Sequence, residues 1–166
     1  RAESRPNSSR CCTMNHHTGQ PSTDDEKFLK QFEAAAIPRE EWRHRDHIRA
    51  AYLYLRRHPL DEATGRIRAS IQKLNAAHQT PETLERGYHE TITQAWMRLV
   101  HCALCQFGPR ATADAFLDEQ SQLLSKRALL LFYSRDRLMS AEAKARFVEP
   151  DLAPLPKSSL DGSSRD

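Results

Sequence analysis

Apolar residues recur at the helical spacing in segment after segment of this chain, and nowhere do they alternate. Ile48, Ala51, Tyr52 and Leu55 follow the i, i+3, i+4, i+7 pattern, as do Ala63, Ile67, Ser70, Ile71 and Leu74. Ile92, Trp96, Leu99, Val100 and Ala103 continue it. A stripe at that spacing can be buried only by a helix, because a strand would turn half of it to water. The period therefore predicts an all-α protein: an up-down bundle of about five to six helices.

Punctuation divides the pattern. Thr23-Asp-Asp-Glu26 reads as a capping box opening a first helix whose inner face is Phe28, Leu29, Phe32 and Ala36. Pro38 and Pro59 bracket a second helix, starting at Trp42 or His44. Asp61-Glu62 opens a third helix, running to about Ala77. A fourth begins near Tyr88 and breaks at Gly108-Pro109. Residues 110–133 read as one long helix, or as two joined near Gln120–Gln122, and a short helix follows from Ser140. Residues 1–22 and the tail from Lys157 have no apolar period and are expected to be disordered, leaving residues 23–156 as one domain.

The 166 residues carry a formal charge of +3, with basic and acidic side chains interleaved rather than blocked, which argues against nucleic acid as a partner. No apolar run approaches the roughly 20 residues of a bilayer span, so no membrane partner is expected. With no signal-like apolar run near the start, a cytoplasmic protein is expected. Cys102 and Cys105 stand in a helical stretch without a second pair nearby, and are read as buried thiols rather than as half a zinc site. The phosphate-cradling glycine loops, the HExxH zinc helix and the GxSxG elbow are all absent.

Four histidines extend the apolar stripes at helix ends. His44 and His47 open the second helix, His78 closes the third and His89 opens the fourth. In an up-down bundle those three ends coincide. His44 and His47, three positions apart, can aim at one point. With His89 they would form a three-nitrogen site suited to a divalent transition metal such as Zn, Fe, Ni or Mn. His78 would be a further ligand or a proton shuttle. Glu90 would be the general base or an orienting carboxylate, and Asp46 a second candidate for orienting a ligand.

The strings FEAAAIPREEWRHRDHIRAAYLYL, GYHETIT, LLFYSRDRLMS and FVEPDLAPLP resemble a family of small bacterial proteins, from Phe32 to Leu155. The resemblance implies a common helical fold and marks His44, His47, His89 and Glu90 as part of its pattern. It implies no activity.

Two functions follow as expectations. The first is a metal-dependent enzyme, a hydrolase or an oxygenase, acting on a small-molecule substrate through a histidine-lined pocket. Its metal ligands would be His44, His47 and His89, with His78 and Glu90 as catalytic groups. The second is a non-catalytic bundle that binds a small molecule or a partner in a polar His/Glu pocket.

Overall fold

The computed structural model describes residues 22–157. The two expected tails therefore lie outside the described residues but for their inner ends, as do Cys11, Cys12, His16 and His17. The described residues are helical and hold no strand. Helix α1 spans Thr23–Glu33, α2 His44–Leu55, α3 Leu60–Ala77, α4 Glu90–Phe107 and α5 Ala113–Glu119. Two 3-10 turns follow, Ser121–Leu124 and Lys126–Leu131. Two short helices, α6 Arg135–Leu138 and α7 Ala141–Ala145, end the order.

Helix α2 is the axis of the bundle. It packs against α1, α3, α4, α5 and the first 3-10 turn, while α3 and α4 pack on each other and α7 lies on α4. Its apolar period alone shows an amphipathic helix, yet Ala50, Leu53 and Tyr54 are buried together with the stripe residues Ile48, Ala51, Tyr52 and Leu55. Neighbours on several sides leave α2 little wet face. Burying a side chain of Leu or Phe size is worth about 1.5–3 kcal/mol. The fully enclosed Phe32, Tyr52, Tyr54, Phe116 and Leu117 therefore dominate the core. The Tyr52 ring stacks on Phe116 with centroids 4.3 Å apart. Its hydroxyl donates to the Arg110 carbonyl at 3.0 Å and accepts the Arg110 N–H at 2.9 Å, fixing the chain just past the Gly108-Pro109 break.

The caps follow the short polar residues, with small shifts from expectation. Ser22, not Thr23, caps α1, its hydroxyl accepting the Asp25 N–H at 3.1 Å. Asp25 is thereby free for a longer reach. Its buried carboxylate takes Arg49 and also the N–H of Ala113 at 2.9 Å, so α1 caps the first residue of α5. Helices α1 and α3 both end in a Schellman turn: Ala36 N–H bonds Gln31 O, and Thr80 N–H bonds Asn75 O. The left-handed residues there are Ala35 (φ 55°) and Gln79 (φ 51°) rather than glycine. Gly87 (φ 91°) is a glycine of necessity, because a Cβ there would collide with the Glu82 carboxylate that holds the Tyr88 N–H.

The one long helix expected over 110–133 does not form. Helix α5 stops at Glu119, Gln120 leaves helical geometry (φ −106°, ψ 45°), and Ser125 is extended. The Leu123 carbonyl, which would close the next α-turn, instead accepts the His44 imidazole at 3.0 Å. The segment from Ser121 to Leu131 is consequently a pair of tight turns laid across the open end of α2.

Candidate functional site

Under those turns lies a cavity of about 480 Å³, within the range of about 300–1,000 Å³ usual for small-molecule sites. Its walls come from α2, α3, α4, the second 3-10 turn and α6. Ala51, Ile67, Ile71, Ile92, Met97, Leu129 and Leu138 make an apolar interior. Trp42 and Trp96 flank the two histidines of α2. The Trp42 ring lies 4.2 Å from that of His47, and the Trp96 ring 4.7 Å from that of His44. Thr93 adds a hydroxyl.

The charged part of the lining has one sign. Arg43, Lys126, Arg127 and Arg135 border the cavity, and no Asp or Glu does. None of the four forms an ion pair among the described residues. Elsewhere the arginines are matched: Arg45 with Asp114 and Asp118, Arg49 with Asp24 and Asp25, Arg68 with Glu90, and Arg110 with Glu119. Leu130 and Met139 also line the cavity and are exposed, so they mark its mouth.

The expected convergence of helix ends is realised in part. The starts of α2 and α4 do share an end of the bundle, since His44, His47, Ile92 and Thr93 line the same space. The expected metal set of His44, His47 and His89 is not assembled. Among the described residues no three His, Cys, Asp or Glu side chains are grouped to hold a metal ion. Each imidazole instead meets a main-chain carbonyl. His44 Nε2 donates to Leu123 O at 3.0 Å, His47 Nδ1 to Arg43 O at 2.9 Å, His78 Nε2 to Ile37 O at 2.8 Å and His89 Nε2 to Leu138 O at 3.0 Å. His89 spends its second nitrogen as well. As the N-cap of α4, its Nδ1 accepts the Ile92 N–H at 3.3 Å, so both ring nitrogens are occupied behind the cavity wall. His78 ties the end of α3 to the α1–α2 connection and does not line the cavity.

Burial lowers the basicity of three of these rings. His47 falls to about 4, with desolvation outweighing the bond to Arg43 and neighbouring Lys126 and His44 adding to the fall. Desolvation likewise lowers His44 and His89 from the ordinary 6.5, more than their carbonyl partners restore. These rings are neutral at pH 7.

Glu90 has a different duty from the expected base. Arg68 holds it in a two-pronged bond, Nε to Oε2 at 2.9 Å and Nη2 to Oε1 at 2.5 Å. Gln94 adds a donor at 2.6 Å and the Tyr88 hydroxyl another at 2.8 Å. Its desolvation is overcome by these donors, led by Arg68, which hold its carboxyl down to about 2. A carboxylate so saturated is a poor proton acceptor. Glu90 faces a separate, wider hollow of about 1,030 Å³, shared with Arg68, Tyr88, Glu82 and Lys144. Asp46 closes the start of α2, accepting the Arg43 N–H at 2.9 Å. Thr91, a candidate ligand donor by sequence, is buried and clamps the C-terminal segment through Arg146 O and the Val148 N–H.

The thiols also depart from expectation. Cys105 is exposed and Cys102 half-buried, the latter donating to Pro156 O at 3.1 Å.

The basic edge is what the helical period misses. A signal for it exists: Lys126, Arg127 and Arg135 have no acid three or four positions away on either side. Such partners are common on a helix surface. No helix is long and apolar enough to cross a membrane among the described residues. Comparison with family models, with curated proteins and with solved structures finds no match, so the resemblance carried by HRDH and GYHETIT rests on those strings alone.

Proposed function

We propose that the protein is a small-molecule-binding helical bundle whose ligand is an organic anion with an apolar body. The observation that supports this is the cavity of about 480 Å³ with apolar walls and an acid-free basic border. An apolar wall favours transfer of a ligand's body from water, at about 25 cal/mol for each Å² covered. Four cations with no carboxylate partner form a local positive field that a ligand's charged head relieves. The neutral imidazoles of His44 and His47 add polar atoms without adding charge.

This is the non-catalytic alternative of the two expected functions, with the pocket basic rather than His/Glu. A metal-dependent reaction draws no support from the geometry, because the three expected ligand nitrogens do not share a centre.

Both tryptophans of the chain line the cavity. Intrinsic fluorescence therefore reports on its occupancy with no background. Titration with 2-naphthoate and with decanoate is expected to change the emission and saturate in the micromolar range. The Lys126→Glu/Arg127→Glu double variant is expected to weaken binding by at least tenfold while its thermal midpoint holds. No saturable change with any carboxylate up to millimolar concentration overturns the proposal.

A further inference from the structure

Resting on that reading of the cavity, we infer that the ligand is a hydroxylated aromatic carboxylate, its hydroxyl donating to the histidines of α2 while its carboxylate meets the basic border. Two observations lead there.

The first is the state of the two imidazoles. A main-chain carbonyl only accepts, so the nitrogens facing Leu123 O and Arg43 O carry the protons. In a neutral ring the other nitrogen is then bare: Nδ1 of His44 and Nε2 of His47. No described residue donates to either atom. The rings belong to a lining whose remaining charged groups, Arg43, Lys126, Arg127 and Arg135, are all donors at its border. The site thus offers two acceptors in its aromatic part and donors at its border. A ligand that matches both carries a donor on its body and an anion at its end. An aliphatic acid leaves the imidazole acceptors unmatched, and an unmatched acceptor in a water-poor site costs affinity.

The second is the shape of the aromatic part. Trp42 beside His47 and Trp96 beside His44 form two ring pairs, at 4.2 and 4.7 Å. Planar faces of that kind favour a flat, π-bearing body over a flexible chain. Discrimination of this sort is steep, because a site built to bond a hydroxyl rejects the analogue lacking it far more than an apolar site rejects an extra methylene.

Three probes test the inference on the intact protein: 6-hydroxy-2-naphthoate, its 6-methoxy analogue and 2-naphthoate, titrated by tryptophan fluorescence and by calorimetry. The methoxy compound keeps an oxygen but loses the donor. The hydroxy compound is expected to bind at least tenfold more tightly than either of the others. The His47→Phe variant is expected to lower that preference to within about twofold, with 2-naphthoate affinity unchanged. Equal affinity for all three, with the Lys126→Glu/Arg127→Glu variant still abolishing binding, overturns the hydroxyl inference and leaves the anion site standing. Binding of none overturns both. A preference for the methoxy compound also overturns the inference.

Discussion

The His44 imidazole bonds the carbonyl of Leu123, 79 positions away, at 3.0 Å. It is a latch. It holds the start of α2 to the turns that roof the cavity, and it takes from those turns the carbonyl that an α-helix would have used. His44→Ala is expected to cost about 1–3 kcal/mol by leaving that carbonyl without its partner. Faster amide exchange confined to residues 121–131 is expected with it. Unchanged protection of that segment would remove the latch from the account.

Glu90 and Arg68 form the most saturated polar cluster of the described residues. Glu90→Leu is expected to destabilise by about 2–4 kcal/mol, since it strands a partly buried guanidinium. The double variant Glu90→Leu/Arg68→Met is expected to recover more than half of that loss. Urea unfolding of both variants reads the difference, and additive losses would show that the two side chains act separately.

Acid lowers stability in two overlapping windows. His47 holds its proton only below about 4 in the folded chain, against an ordinary value of 6.5. The unfolded chain therefore binds that proton first, and stability is full above about pH 6.5 and falls as pH drops toward 4. With its partial exposure discounted, the loss is of the order of 2 kcal/mol. His44 and His89 are lowered too and act with the same sign. Glu90, held at about 2 against 4.5, extends the loss from pH 4.5 downward. The urea midpoint is expected to be flat above pH 7 and to fall continuously from 6.5 to 3. A constant midpoint between pH 7 and 5 would contradict the histidine assignment.

Metal ions are expected to leave the fold unmoved. A specific ion at a hundred times its dissociation constant adds about 2.7 kcal/mol, several degrees in thermal midpoint for a domain of this size. Zn²⁺ and Ni²⁺ are expected to give no such rise, in the parent and in His44→Ala/His47→Ala alike. A rise that this double variant abolishes would restore a metal at α2.

The helices were legible because burial imposes a period. The stripes of α2, α3 and α4 enter the core as their spacing requires, and even the meeting of the α2 and α4 starts follows from short connections. The partners of the histidines were not legible. Leu123, Ile37 and Leu138 each offer a carbonyl to an imidazole, and every residue has a carbonyl, so no residue type announces it. The failure of helix over 120–131 is of the same kind. Its apolar spacing suits a helix, and the interruption comes from bonds made to distant residues. Glu90 misled for another reason: the sequence shows a carboxylate beside a histidine but not the Arg68 that saturates it from another helix.

The order in which the cavity acquires its walls has a consequence for the chain as it is made. Trp42, His44 and His47 come early, whereas Leu129, Leu130, Arg135 and Met139 come roughly ninety residues later. During synthesis the tryptophan-lined face of α2 stands open through most of elongation, and the space closes only once the last quarter of the chain has left the ribosome. An apolar anion present in the cell meets a finished chamber, so it can select the completed protein but cannot template its early helices.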